Sequence, residues 1–303
     1  MTEKTLAASL AEDRARARDG VVAGLIAYTL WGFLPIYLKL VAHVPSLEVL
    51  AHRIAWAVPF GIPIIWARRQ WPEVRRALAH RRTFGLLAVS AGCISVNWLV
   101  YIVAVQREQI FQASLGYYIN PLMYVLVGVL FFRERLRRLQ TAAVLLAAAG
   151  VAVLTASGRQ FPAIALTLAT SFTVYGVVRS RVAVGGMPGL FIETLILLPA
   201  AVGYLLWLGR HDLAAFTLEN PGLMALLMLA GPFTVTPLLA FALAARRLKL
   251  STIGIMQFIS PTLQFLVGLG YGERLTPAHV VCFTLIWIAV AAFSWDAWRY
   301  TRA

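Results

Sequence analysis

Ile119-Asn120-Pro121, Leu126-Val127-Gly128 and Glu134-Arg135-Leu136 follow one another within residues 111–136, and the pattern returns about 140 residues later. The second copy reads Ile259-Ser260-Pro261, Leu266-Val267-Gly268 and Glu273-Arg274-Leu275, in register to within one residue. Each copy is a hydrophobic span with a polar-proline break at its middle and a charged exit. A chain that carries such a unit twice reads as two homologous halves facing each other across a site.

The rest of the chain is apolar enough to place both copies in a membrane. Of 303 residues, 60% are hydrophobic and 13% charged, with mean hydropathy +0.76. Soluble domains are close to half apolar and a quarter charged, so this chain could not cover itself with a polar surface. Its hydrophobic runs recur at about 20 residues, the length a helix needs to cross hydrocarbon. The expected fold is an all-α polytopic membrane protein of ten transmembrane helices. The spans fall near 20–42, 46–67, 83–105, 110–132, 139–157, 162–179, 187–208, 222–244, 251–271 and 277–297.

Basic residues set the expected orientation. Lys4, Arg14, Arg16 and Arg18 precede the first span; Arg68, Arg69, Arg75, Arg76, Arg81 and Arg82 fill the second loop. Arg133, Arg135, Arg137, Arg138, Arg179, Arg181, Arg246, Arg247, Lys249, Arg299 and Arg302 fall on the same side. The other side holds only Arg107, Arg159, Arg210 and Arg274, while Lys39 and Arg53 lie inside spans. Both termini are therefore expected in the cytoplasm, and the net charge of +14 is largely an insertion signal. It is dispersed over short loops, which argues against nucleic acid as a partner.

Five spans per half is an odd number, so the second half enters the bilayer inverted. The expected units are a cytoplasmic segment at 1–19, a first five-helix repeat at 20–157 and an inverted second repeat at 162–298. Asn120 and Ser260 each lie about ten residues into a span, roughly 15 Å deep. The two breaks thus meet near the midplane. Segment 1–19 lacks the apolar core of a signal peptide. Cys93 and Cys282 fall within spans and read as buried thiols. The loop at 67–82 is a topology determinant whose Trp71 and arginines suit anionic headgroups. Trp295, Trp298 and Tyr300 suit an interfacial belt.

Pro121 and Pro261 are hinge candidates, because proline frees a carbonyl that only protein or a watery cavity can satisfy at membrane depth. Pro35, Pro232 and Pro237 are weaker candidates, with a static kink as the alternative. Charges at depth mark function by default. Glu48 and His52, four residues apart, share a helix face; together with Lys39 they form a charge cluster that could serve coupling. A structural clamp between Lys39 and Glu48 is the competing reading. Arg53 is deeper and suits an anionic group or a pathway carboxylate. Glu193 is the isolated acid of the second half, read as snorkelling, capping or functional.

Trp31, Asn97, Trp98, Tyr117, Tyr118, Asn120, Thr236, Gln257 and Gln264 add amides and aromatics that, with Arg53, suit a path for an amphiphilic solute. Ordinary helix–helix hydrogen bonding is the alternative for each. No phosphate-binding G-x-x-x-x-G-K-[ST] occurs, nor a D-x-x-x-D, H-E-x-x-H or Cys/His cluster. Neither a cofactor nor a metal is expected, and an enzyme is not.

Asn97-Trp98, Ala113-Ser114-Leu115-Gly116-Tyr117-Tyr118-Ile119-Asn120-Pro121-Leu122, Gly231-Pro232, Thr236-Pro237-Leu238, Gln257-Phe258-Ile259-Ser260-Pro261-Thr262 and Tyr271-Gly272-Glu273-Arg274-Leu275 resemble the RarD branch of the drug/metabolite transporter superfamily, with Glu48 and His52-Arg53 in its second helix. The two halves resemble its EamA repeats. The resemblance implies ten helices in the inner membrane around a central cavity formed mainly by spans 1, 3, 4, 6, 8 and 9. It implies permease activity; the branch is linked by name to chloramphenicol sensitivity, and relatives export amino acids and other metabolites. The small four-helix multidrug exporters related to this superfamily carry a proton-binding glutamate in their first helix. Span 1 here has only Lys39, so the resemblance does not extend to proton antiport by that route.

The combined expectation is a secondary transporter moving a small organic solute by alternating access. A membrane-embedded enzyme on a lipid-linked substrate and a non-transporting accessory subunit are the alternatives. The expected partners are the solute and the lipid bilayer, with a homodimer left open.

Overall fold

The computed structural model describes residues 3–132, 136–158, 162–248 and 250–301. Within the helices, the side chains of residues 3–16, 128, 131–132, 250–251 and 297–301 are outside the description. The charged exit of the first copy (Arg133, Glu134, Arg135), together with Arg159, Lys249 and Arg302, lies outside the described residues. So do the side chains of Lys4, Arg14, Arg16, Trp298, Arg299 and Tyr300.

Twelve helices follow one another: α1 (Glu3–Leu40), α2 (Ser46–Ala67), α3 (Trp71–Ala79), α4 (Arg81–Gln106), α5 (Ile110–Phe132), α6 (Arg138–Gly158), α7 (Ala163–Ser180), α8 (Gly186–Arg210), α9 (Pro221–Ala245), α10 (Leu250–Met256), α11 (Ile259–Gly270) and α12 (Pro277–Thr301). Among the described residues they provide ten spans long and apolar enough to cross a membrane, the last but one built from α10 and α11 together. A helix satisfies every backbone group within one segment, which hydrocarbon demands. Four of the exits share one device. Arg69, Glu108, Asp212 and Gly272 take positive φ, and the next residue's amide reaches back to the helix, as Gln109 N does to Ala104 O at 2.8 Å. This left-handed cap closes the last turn before each loop.

The halves pack through each other. α1 lies on α9 as α7 lies on α4, and α5 lies on α7 as α11 lies on α1. Replacing each span by the one five places on converts each pairing into the other. Besides α2 with α8, two further pairs join equivalent spans directly and run antiparallel. In the first, Phe111 of α5 stacks on Phe265 of α11, while Tyr118 further along α5 meets Phe258 before α11. In the second, Gly150 of α6 faces Cys282 of α12, and Arg137 before α6 pairs with Asp296 near the end of α12. This pairing is consistent with two oppositely inserted copies.

The copies differ at the break. α5 runs unbroken through Pro121, contrary to the expected interruption, whereas the second copy breaks between α10 and α11, just before Pro261. Proline removes the bond to the fourth carbonyl back and crowds it, which is Gln257 in the second copy. Gly254 in α10 stands where the first copy has Ser114, and glycine weakens a helix that proline already strains. Ser114 is fully buried and donates to the Pro261 carbonyl at 2.8 Å, tying one copy to the other. Pro35, Pro232 and Pro237 lie within the continuous helices α1 and α9.

The expected loop at 67–82 contains α3, and Trp71 does not face outward. It meets Phe191 of α8 edge-on at 5.7 Å, and Glu73 accepts from Gly185 N at 2.7 Å. The amphipathic α3 buries Val74 and Ala77 against the bundle instead.

At the end opposite the arginine-rich loops, the helices are tied together. Lys39 reaches Glu108 at 3.7 Å and sits over the Tyr271 ring. The Lys39–Glu48 clamp does not form. Glu48 instead accepts from Ala215 N at 2.7 Å and lies 3.9 Å from His52, because its face of α2 turns under the α8–α9 connection. Glu273 accepts from Phe111 N at 3.1 Å, at the start of α5. Burial pushes the Glu273 carboxyl up to about 7, against the opposing pull of the α5 amides and Lys39. A carboxyl raised on folding binds its proton more tightly in the folded state. The stabilisation is therefore full below the ordinary value near 4.5 and is lost as pH rises through about 7. Thermal unfolding of the detergent-solubilised protein should occur at lower temperature at pH 8 than at pH 6, and Glu273→Gln should flatten that difference; an unchanged profile would contradict the assignment. A Cβ at Gly231 would lie 2.5 Å from Trp56 O of α2, so Gly231→Val should cost about 1–3 kcal/mol by overpacking. Gly203→Ala, where nothing lies within 4 Å, should leave the unfolding temperature in place.

Candidate functional site

Between the halves lies a cavity of about 640 Å³, within the size range of small-molecule sites. α1, α2, α4, α5, α7, α8, α9, α10 and α11 contribute to its wall, whereas the α6–α12 pair and α3 do not. The six spans implied by the resemblance are all represented, and α2 and α8 are added to them. Arg68, Gln70, Arg179, Gly185 and Arg246 line the end nearest the arginine-rich loops. The cluster of Lys39, Glu108, Tyr271 and Glu273 at the other end contributes nothing to the wall.

Arg53 is the deepest charge on the wall. It is 6% exposed, and its guanidinium lies 4.4 Å from the centre of the Trp98 ring. Its Nε donates to Thr234 Oγ1 at 2.9 Å, which joins α2 to α9 across the seam. Tyr37, Tyr101 and Tyr117 surround it. Described salt bridges place no carboxylate within 4.0 Å of it, and Nη1 is buried without a hydrogen-bond partner. Four arginines and no acid stand among the described lining residues. At the mouth, burial and the neighbouring Arg246 hold the Arg68 guanidinium below its ordinary pKa.

The amides divide into bonded and free ends. Asn97 Nδ2 donates to Leu168 O and Ser171 Oγ, each at 3.0 Å, and Asn97 Oδ1 accepts from Tyr117 at 3.1 Å. Asn97 is thus a strut between α4, α5 and α7. Gln264 Nε2 donates to Trp31 O and Ser260 Oγ, each at 3.2 Å, which fixes α11 to α1. Gln264 Oε1, Asn120 Oδ1 and Tyr101 Oη are buried with no partner, and all three residues line the cavity. Each such group costs about 1–3 kcal/mol if it stays unsatisfied.

Of the residues expected on the path, Trp31, Arg53, Asn97, Trp98, Tyr117, Asn120, Gln257 and Gln264 line the cavity. Tyr118 and Thr236 do not. Tyr118 points about 100° away from Tyr117 on the same helix. Its hydroxyl meets Thr262 at 2.6 Å, and its ring packs among Phe258, Phe283 and Trp287. Thr236 is exposed, because two residues along α9 is a little over half a turn from Thr234, whose hydroxyl takes the Arg53 contact. Pro261 is on the wall, while Pro121 is buried behind it. Lys39, Glu48 and His52 lie off the wall.

Glu193 neither snorkels nor caps. It is fully buried, pairs with Arg179 at 3.4 Å and accepts from Ser90 at 2.5 Å and Tyr175 at 3.3 Å. It therefore holds the wall arginine from behind. Phe172 and Phe241 line the cavity without a signal in the sequence, since a phenylalanine in an apolar span reads as core. Among the described residues, no group of three or more His, Cys, Asp or Glu side chains could hold a metal ion.

Residues 18–156 match the EamA-like transporter family. Protein RarD of Salmonella typhimurium is 43% identical over 286 residues, covering 94% of this chain and 97% of that one. An uncharacterized transporter of Vibrio cholerae is also 43% identical, over 96% and 97%. Protein RarD of Escherichia coli is 42% identical over 94% and 97%. A crystal structure with 19% identity shares the fold, at a TM-score of 0.58 over 90% of this chain and 96% of that one. The apolar helices make the protein multi-pass in a membrane, and the chain belongs to the RarD branch of the EamA-like transporter family.

Proposed function

We propose that the protein is a secondary active permease of the inner membrane that moves a small organic solute by alternating access. The carrying observation is the cavity: it lies at the seam of two halves, is walled by aromatics and arginines, and extends toward one end only. A rocking motion of the five-helix repeats 20–157 and 162–298 would close that end and open the other, with the break before Pro261 and Pro121 within α5 as hinges. The arginine-rich end is read as cytoplasmic, with both termini on that side. The access seen is then inward, and the Lys39–Glu108 and Glu273–α5 ties form the outer closure.

A sealed accessory subunit would not need a cavity of this volume with four arginines among its described lining residues. An enzyme acting on a lipid-linked substrate would need proton-transferring side chains on the wall, and no acid lines it among the described residues.

Metabolite profiling of cells lacking or overproducing the protein should reveal a solute whose distribution between cell and medium follows protein level. In proteoliposomes, flux of that solute should fall roughly tenfold or more in Arg53→Ala and in Asn120→Ala, equivalent to about 1.4 kcal/mol of lost interaction. Wild-type flux in both variants would remove these residues from the path, and no responsive solute would remove the permease reading.

A further inference from the structure

We infer that the solute is an organic anion, whose carboxylate is bound by Arg53 and whose hydrogen-bond donor is taken up by the free amide oxygens of Asn120 and Gln264. The inference rests on the permease reading and specifies its substrate class. A guanidinium at membrane depth requires a counter-charge. Among the described residues the protein supplies Arg53 with none: the cavity wall has four arginines and no acid, and Arg53 is surrounded by a tryptophan, three tyrosines and a threonine. Thr234 occupies Nε and Trp98 covers one face of the plane, while the buried Nη1 is left without a partner. The planar fork of donors matches a carboxylate.

The other half of the site has the opposite need. Asn120 and Gln264 are 6% and 2% exposed, and each lines the cavity with a side-chain oxygen that accepts from nothing. Gln264 is held in this orientation because its nitrogen is committed to Trp31 O and Ser260 Oγ. An oxygen acceptor calls for a hydroxyl or N–H on the ligand. Trp31, Trp98, Phe172 and Phe241 provide apolar faces on the same wall, which suit a flat hydrophobic body. At the mouth, Arg68 and Arg246 have no salt-bridge partner among the described residues. A single-sign entrance of this kind raises the local concentration of anions.

The test uses two acids carrying a ring and a donor, N-benzoylglycine and 4-hydroxyphenylacetate, each against its own primary amide at the same concentration. Thermal stabilisation of the full-length wild-type protein in detergent should be given by the acids and not by the amides. Arg53→Gln should weaken the acids' apparent affinity roughly tenfold, with Arg53→Lys restoring part of it. The comparison of acid with amide on the wild-type protein stands whether or not the variants fold. Equal stabilisation by acid and amide, none by either acid, or undiminished binding in a folded Arg53→Gln would overturn the anion site. Uptake into proteoliposomes separates the two readings. Arg53-dependent binding of the acids without protein-dependent uptake would keep the anion site and overturn the permease. Protein-dependent uptake of the amides in preference to the acids would keep the permease and overturn the anion site.

Discussion

A guanidinium buried within an apolar bundle, with no acid beside it among the described residues, is the constraint around which this structure is arranged. Arg53 can stay charged there only because Trp98 covers its face, Thr234 accepts from its Nε and the cavity meets its remaining edge. Each of those supports comes from a different helix. Trp98 stands on α4 and Thr234 on α9, so the charge is held across the seam and not within one half. The same seam carries the Ser114–Pro261 bond and the Asn97 strut. Polar groups that would be expensive in lipid are therefore concentrated where the halves meet, and the outer face is left to apolar side chains.

The two carboxylates that look most similar in the sequence serve different structural ends. Glu48 is fully buried and turned to the connection between α8 and α9, which it holds through Ala215 N. Glu193 is fully buried behind the wall and fixes Arg179. Neither faces the cavity, which leaves its interior positively charged. Mechanically, the Lys39, Glu108 and Glu273 contacts are partly solvent-exposed and individually weak.

The repeated pattern was legible as a literal run of residues: Asn-Pro against Ser-Pro, each about ten residues into an apolar span. Ten spans followed from hydropathy and length alone. Arg53, Asn97, Trp98 and Gln264 were legible as polar or aromatic residues in an apolar context, where lipid makes such choices costly. Tyr118 and Thr236 failed for a common reason. Each adjoins, or stands two residues from, a residue that does reach the seam, and composition cannot say which of two neighbours turns inward. The Lys39–Glu48 pairing fails because proximity along the chain does not fix helix rotation, which carries Lys39 to Glu108. The break in the second copy and the continuity of α5 depend on Gly254 against Ser114, a difference visible in the sequence but without meaning until the contact with Pro261 is known. Phe172 and Phe241 carried no signal at all.

The claim on which everything turns is that Asn120 and Ser260 border one water-accessible space between the halves. Single cysteines at these two positions, in a background with Cys93 and Cys282 replaced by alanine, can be challenged with a membrane-impermeant thiol reagent from each side of sealed vesicles. The account predicts that both react from the arginine-rich side. Reaction with a lipid-soluble reagent only, or with the impermeant one at neither position, would contradict it.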